Sequence, residues 1–335
     1  MVTSKDVADY AQVSVTTVSH VINRTRRVDL ETEQRVWRAI NELGYRPNLL
    51  ARGLRRRETR TIGLIVPDNS NPYFAELARA VEDAGFAKGY SVILCNSDMS
   101  ESKEAAYIEL LISKCVDGVI LISAAHRREK FNEFIQAGIP LITVARELND
   151  LPVDQVLMDN QQGGYLVGKH LTALGHRRIG CIAGPRDETP SADRIVGLRR
   201  ALYEAGVDLP SEQIIRGDFT YEGGHQAMAN LLRREPKLTA VFAANDRMAI
   251  GAMNYLWQTG VRVPEDISVI GFDDIPVAAM TCPPLTTVAT PKAEFARISV
   301  SMLIERINRE RTEPARLVLP TRLVIRNSCR AIGAE

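Results

Sequence analysis

Val13-Ser14-Val15-Thr16-Thr17-Val18-Ser19-His20-Val21-Ile22-Asn23 begins at a serine suited to capping a helix and sets Val18, Val21 and Ile22 at helical spacing. Its other face carries Thr16, Thr17, Ser19, His20 and Asn23. Just upstream, Thr3-Ser4-Lys5-Asp6 has an N-cap candidate at Thr3 with Asp6 three residues on, followed by an apolar stripe of Val7, Ala8 and Ala11. Only Gln12-Val13 separates the two patterns, so they read as a helix-turn-helix. The second helix of that motif enters the major groove. Threonine hydroxyls and methyls suit phosphates and thymine methyls, and His20 can donate or accept at a base edge. A third helix, from Asp29 as cap through Val36, Trp37, Ile40 and Leu43 to Gly44, covers the first two.

Charge supports this reading. The 335 residues carry a formal net charge of only +1, yet residues 1 to 60 hold 12 Lys/Arg against 7 Asp/Glu. About +5 therefore sits in the first sixth and about −4 in the rest, a basic module for a polyanion joined to a near-neutral body. The length calls for two or three domains. Next come Tyr45-Arg46-Pro47-Asn48-Leu49-Leu50-Ala51-Arg52-Gly53-Leu54 and Arg55-Arg56-Arg57-Glu58-Thr59-Arg60. A helix this short, weakened by Gly53, is marginal alone. Beside a run of arginines it reads as a basic linker in the free protein and a helix on DNA.

From Thr61 the pattern alternates. Strand-like runs at 62–66, 91–95, 118–122, 141–144, 179–183, 240–243 and 267–271 are interspersed with helical stretches, the first of them at 73–88, 103–114 and 128–137. Short apolar strands separated by helices indicate parallel sheets covered on both faces, and a body this long holds two. Ligands of such sheets bind beyond the carboxyl ends of the strands. There the sequence places Asp68-Asn69-Ser70-Asn71-Pro72-Tyr73-Phe74, Arg146, Asp159-Asn160, Asn245-Asp246 and Phe272-Asp273-Asp274. Planar donors and acceptors with aromatic walls suit a polyhydroxylated ligand. Helix capping accounts for Asn71 or Asp246 singly, but poorly for the whole set.

Other classes find little support. No apolar run approaches the ~20 residues of a membrane span, and the start does not read as a signal peptide. The five scattered cysteines, Cys95, Cys115, Cys181, Cys282 and Cys329, form no Cys-x-x-Cys pair and read as free thiols in a reducing compartment, the cytoplasm. Val66-Pro67-Asp68-Asn69-Ser70 is not a dinucleotide-binding glycine turn, and neither a Walker A loop nor a Gly-x-Ser-x-Gly elbow occurs. The histidines show no metal spacing; His170 and His176, flanking Leu174-Gly175 near a helix end, read as capping or surface residues. No enzyme activity, cofactor or metal site is expected.

Lys5-Asp6-Val7-Ala8, the run from Val13 to Asn23, and Gly44-Tyr45-Arg46-Pro47-Asn48 resemble the headpiece of the LacI/GalR repressor family, especially its ribose and purine branch. In the body, Asn71-Pro72-Tyr73-Phe74, Asp193-Arg194-Ile195-Val196-Gly197, Gly217-Asp218-Phe219, Asn245-Asp246-Arg247-Met248-Ala249-Ile250-Gly251, Gly271-Phe272-Asp273-Asp274 and Pro283-Pro284-Leu285-Thr286-Thr287-Val288 are similar to family positions, so the likeness spans essentially the whole chain. It implies an α/β protein: a lambda-repressor-like helix-turn-helix headpiece at 1–46, a hinge helix and linker at 47–60, and a type I periplasmic-binding-protein-like body of two doubly wound subdomains. These would be 61–160 plus 291–320, and 161–290 plus 321–335.

The resemblance further implies DNA contacts by Thr3, Ser14, Val15, Thr16, Thr17, Ser19, His20, Asn23, Tyr45, Asn48, Ala51, Arg52, Leu54 and Arg55, with Leu54 as a minor-groove wedge at the central base step. Effector contacts would come from Asn71, Tyr73, Phe74, Arg146, Asp159, Arg194, Phe219, Asn245, Asp273 and Thr290. The implied partners are a near-palindromic double-stranded operator, a second copy in a homodimer, and a small-molecule effector, a sugar, with no membrane partner. Three departures bear on the effector. Ala145 stands where ribose binders of this fold carry aspartate, and Thr290 where a glutamine is common. Glu188 and Pro190 replace the purine repressor's arginine and threonine, which argues against a purine and leaves a pentose, hexose or other polyol derivative.

Overall fold

A computed structural model describes residues 2–45, 58–122, 128–145, 147, 151–186 and 189–333. The expected hinge residues Asn48, Ala51, Arg52, Leu54 and Arg55, and the expected effector residue Arg146, lie outside the described residues. The chain divides into two compact units, one ending at Thr59 and one beginning at Arg60.

The first unit is a trio of helices: α1 (Ser4–Ala11), α2 (Val15–Asn23) and α3 (Leu30–Glu42). Each begins at a side-chain cap that the sequence announces. Thr3 and Asp6 form a reciprocal capping box, Ser14 Oγ accepts from the Thr17 N–H at 3.0 Å, and Asp29 accepts from the Thr32 N–H at 2.9 Å. Helices this short are marginal alone, so packing must hold them. Val7, Ala8, Ala11, Val18, Val21, Val36, Ala39 and Ile40 form the shared core, sealed at its edge by Val13, Ile22, Leu43 and Tyr45. The apolar stripes thus do face inward, although Trp37, placed on the covering stripe, stays exposed.

The second unit contains two six-stranded sheets. The first joins β1 (Thr61–Val66), β2 (Ser91–Asn96), β3 (Gly118–Leu121), β4 (Leu141–Val144), β5 (Asp154–Met158) and β11 (Arg316–Leu319) in the order β11-β5-β4-β3-β1-β2. The second joins β6 (Ile179–Ala183), β7 (Ile214–Arg216), β8 (Ala240–Ala243), β9 (Ser268–Asp273), β10 (Thr286–Ala289) and β12 (Arg322–Val324) in the order β12-β10-β9-β8-β6-β7. All pairings are parallel except β10 with β12. Strands buried on both faces explain the continuous apolar runs at 62–66 and 240–243. The chain crosses between sheets after β5, after β10, and between β11 and β12, so each lobe is completed by a late segment.

Between strands lie α4 (Pro72–Ala87), α5 (Glu101–Ser113), α6 (Asn132–Gln136), α7 (Asn160–Ala173), α8 (Thr189–Glu204), α9 (Tyr221–Arg234), α10 (Asp246–Gln258) and α11 (Lys292–Ile307). The stretch expected as one helix over 128–137 starts instead as a 3-10 turn, Arg128–Phe131, and only then becomes α6. No side chain caps its start, so the first turn tightens. His176 departs more from expectation. It is fully buried, with Nδ1 3.0 Å from Thr239 Oγ1 and Nε2 3.1 Å from the Arg330 carbonyl, and so braces the end of the chain against the second sheet. Burial pushes its pKa down, partly offset by the Arg330 carbonyl.

Candidate functional site

A cavity of about 350 Å³ lies at the carboxyl ends of strands of both sheets. Its walls follow the chain through successive strand ends: Pro67 and Asp68 after β1, Asp98 and Met99 after β2, Ile122 after β3, Ala145 after β4, Asp218, Phe219 and Thr220 after β7, Asn245 after β8, and Asp273 closing β9. Thr189, Pro190 and Arg194 of α8 complete it. Parallel strands of two lobes deliver their loops to one cleft, the position expected for a ligand.

Arg194 and Asp273 form its polar centre, both nine-tenths buried or more, with Arg194 Nη1 3.7 Å from Asp273 Oδ1. The guanidinium is fixed from three sides. Its Nε donates to Asn160 Oδ1 at 2.8 Å, Nη1 donates to the Ala244 carbonyl at 2.5 Å, and its plane stacks 3.7 Å over the Phe272 ring. Such fixation is backed by the close crossing of α7 and α8. A Cβ on Gly197 would stand 1.8 Å from the Gln161 carbonyl oxygen, and one on Gly164 would stand 1.9 Å from that of Arg194. Only glycine permits this approach.

The Asp273 carboxyl is pushed up to about 6 by burial, against the pull of Arg194 and Lys292. Below it, Asp246 is fully buried and accepts from Thr287 Oγ1 at 2.5 Å and the Ile275 N–H at 2.9 Å; burial first, then nearby Asp273, raises its pKa well above the usual range. Asp246 therefore shapes the β9 loop and does not line the cavity.

The remaining expected effector residues divide. Asn71, Tyr73, Phe74, Phe219 and Asn245 line the cavity. Tyr73 packs edge-on against Phe74 at 5.1 Å, and its hydroxyl is buried beside Thr290, with burial raising its pKa. Asn245 is largely committed to the fold: Oδ1 accepts from the Met248 N–H at 2.9 Å and Nδ2 donates to the Phe219 carbonyl at 3.2 Å, so it holds Phe219 at a positive φ of 66°. Asn71 likewise caps α4 through the Tyr73 N–H at 3.1 Å. Asp159 and Thr290 are not brought to this cavity. Asp159 caps α7 by accepting from the Gln162 N–H and faces a neighbouring chamber, while the buried Thr290 lies behind the cavity wall, beside the Tyr73 hydroxyl, and borders a surface groove near Lys292. Both positions follow strands after which the chain crosses from one lobe to the other.

Several cavity residues went unassigned in the sequence. Asp98 and Met99 follow β2 and obey the strand-end rule used elsewhere. Asp218 and Thr220 follow β7, three residues long and too short to register as a periodic run. Arg247 is visible only through its partner across the cleft, Asp68, at 3.1 Å.

On the headpiece, Val15 and Thr16 are the exposed residues at the start of α2. Thr17 Oγ1 lies 2.9 Å from Ser14 Oγ, Asn23 Nδ2 donates to the Ser19 carbonyl at 2.8 Å and to its Oγ at 3.2 Å, and His20 Nδ1 lies 2.8 Å from Thr25 Oγ1. Thr3 is spent on the capping box, and Tyr45 packs at the edge of the core. Arg24, Arg26 and Arg27, beyond the helix, are exposed cations suited to phosphates.

Comparison with known proteins gives two family matches. Residues 3–48 match "Bacterial regulatory proteins, lacI family", and residues 59–327 match "Periplasmic binding proteins and sugar binding domain of LacI family". The chain is 38% identical to the HTH-type transcriptional repressor PurR of Aliivibrio salmonicida over 98% of its length and 99% of the relative's. It is 40% identical to the ribose operon repressor of Escherichia coli (strain K12), over 98% and 100% of the two chains. A solved structure of the lac repressor dimer bound to operator and the anti-inducer ONPF superposes with a TM-score of 0.88 at 28% identity, over 98% and 99% of the chains.

Proposed function

From the premise that this chain belongs to the LacI family of bacterial regulatory proteins, we propose that it is a dimeric transcriptional repressor whose grip on a near-palindromic operator is set by a sugar. Residues 1–46 read DNA, 47–60 form the hinge, and 61–160 with 291–320 and 161–290 with 321–335 are the two effector-binding lobes. Thr3, Ser14, Val15, Thr16, Thr17, Ser19, His20 and Asn23 supply or support the groove contacts. No catalytic step is assigned to the protein, it needs no cofactor, and it works in the cytoplasm. Among the described residues no helix is long and apolar enough to cross a membrane.

The observation that carries the effector reading is the Arg194–Asp273 pair. A fixed donor and an acceptor stand side by side in a cavity walled by Phe74 and Phe219, the chemistry that recognises adjacent hydroxyls above an aromatic face. The ribose operon repressor is a relative at 40% identity, which supports the same class. Pro190, in the cavity wall, offers a purine no hydroxyl. Effector binding couples to DNA only through its difference between two arrangements of the lobes, typically ~1–3 kcal/mol per site.

The test is a thermal-shift screen of the full-length protein against pentoses, hexoses, their phosphates, nucleosides and purines. A ligand at one hundred times its Kd adds about 2.7 kcal/mol of stability. A shift by free sugars that Asp273→Ala abolishes is the expected result, and a shift by purines alone overturns the effector assignment. Repeating an operator titration with the saturating sugar then reads the sign of control; unchanged affinity overturns the allosteric claim.

A further inference from the structure

Asp273 closes β9 at a φ of 112° and Asp274 follows at 53°, two successive non-glycine residues on the left-handed side. Such a turn persists only where its surroundings over-determine it. Part of what holds it belongs to the second lobe: Arg326 Nη2 lies 2.6 Å from Asp274 Oδ1, and Asp246 Oδ2 accepts from the Ile275 N–H at 2.9 Å. A further contact comes from the first lobe. Lys292, the first residue of α11, donates from Nζ to the Asp273 carbonyl at 3.2 Å and to the Asp274 carbonyl at 2.9 Å. Helix α11 packs on α4 and on β3, β4 and β5 of the first sheet.

The same ammonium lies 2.5 Å from Glu76 Oε2 on α4, and 5.8 Å from the centre of the Tyr73 ring, one turn earlier on that helix and in the cavity wall. An ammonium has three N–H donors, and here three oxygens drawn from both lobes meet it. Largely buried, Lys292 is thereby fixed between α4 and the turn that presents Asp273. The charged and titratable groups around Asp273 are Arg194 of α8, Lys292 of α11, Tyr73 of α4 and Asp246 of α10, with Asp274 next to it committed to Arg326. Arg194 and Lys292 are the two cations that pull its carboxyl down against burial. Arg194 belongs to the same lobe as Asp273, whereas Lys292 acts there only while the first lobe is in place.

We propose that Lys292 is a positioning residue for the effector site: it ties the Asp273–Asp274 turn of the second lobe to α4 of the first, so that occupancy at Asp273 is felt by both lobes. This rests on the reading of the cavity as an effector site. Calorimetry and operator titration on the full-length protein test it, with ribose, xylose, glucose, galactose, hypoxanthine and guanine as probes. For the probe that the wild type binds most tightly, Lys292→Met lowers affinity about tenfold or more, the worth of the charge-assisted hydrogen bonds it loses. The pH at which binding is half lost moves upward, because ionised Asp273 has lost one of its two cations. At saturation, the probe's effect on operator affinity shrinks about threefold or more. Lys292→Arg restores the charge and returns the pH midpoint toward the wild-type value. Glu76→Gln keeps the cation and cuts its tie to α4; the operator response shrinks while the pH midpoint does not rise, which decides the matter even if Lys292→Met does not fold. Wild-type affinity, midpoint and operator response in both Lys292→Met and Glu76→Gln overturn the inference alone. So does a loss of affinity in Lys292→Met with an unmoved midpoint, the mark of a merely structural lysine. A purine as the tightest probe overturns the sugar reading, and the same variants then decide the role of Lys292. Binding of no probe by the wild type overturns both.

Discussion

Arg247 and Asp68 join the two lobes across the cavity: Arg247, in the first turn of α10, places Nη1 3.1 Å from Oδ2 of Asp68, in the loop after β1. Asp68 is pre-set by the Ser70 N–H and hydroxyl, at 2.9 and 2.6 Å, and Arg247 lies 5.2 Å from the Tyr221 ring centre. The pair exists only while the lobes are apposed, so it biases the closed arrangement. Asp68→Asn and Arg247→Gln should each weaken effector binding roughly 2- to 10-fold, the range of a partly screened ion pair. The double variant should be no worse than the poorer single one. Additive losses in a calorimetric double-mutant cycle would show that the residues act separately.

Asp273 predicts a pH dependence with a definite sign. Its folded carboxyl titrates at about 6, against 3.8 unfolded, so between those values the folded state holds the extra proton. In the ligand-free protein this group's contribution to stability declines as pH rises from about 4 to about 6. Sugar hydroxyls donate to the ionised form. Effector affinity should therefore be full above pH 6 and fall as pH drops through it. Asp273→Asn should bind weakly at every pH with no such slope; calorimetry from pH 5 to 8 reads both.

Gly197→Ala should destabilise the second lobe by about 3 kcal/mol, the upper end of overpacking costs, because the added carbon meets the Gln161 carbonyl. The displaced α8 carries Arg194, so effector binding should be lost even at temperatures where the variant is fully folded. Denaturant unfolding and calorimetry on one preparation separate the two effects. Retained affinity would show that Arg194 does not depend on this crossing.

Two headpiece substitutions should fail differently. Thr16→Ala removes an exposed side chain of α2 and should reduce discrimination between operator and unrelated DNA by about 1–3 kcal/mol, with the melting temperature unchanged. Thr3→Ala removes a capping box and should cost about 1 kcal/mol of headpiece stability, weakening all DNA alike. Leu54→Ala, at the expected wedge, should weaken operator binding while effector affinity holds. Fluorescence anisotropy with two duplexes at several salt concentrations distinguishes these outcomes.

The headpiece was legible because its determinants are local: caps at Thr3, Ser14 and Asp29 and stripes at helical spacing lie within one turn of the residues they organise. Likewise, the strand-end rule pointed to Asn71, Tyr73, Phe74, Asn245 and Asp273, which line the cavity, since the end of a parallel strand is a sequence property, whereas Phe219 came from the family resemblance. The same rule also pointed to Asp159, which lines the neighbouring chamber instead, and no local pattern revealed that His176 is buried against partners 63 and 154 residues distant.

By itself, then, the amino-acid order determined the helix-turn-helix, the doubly wound character of the body and the family, because capping, periodicity and strand burial act over a few residues. Only the tertiary structure decided that Asp68 meets Arg247, that Asn160 reaches back to orient Arg194, and that Ala145 borders two chambers at once. Those relationships join residues brought together by three crossings between two sheets. Neither spacing nor composition records a distance set by such packing.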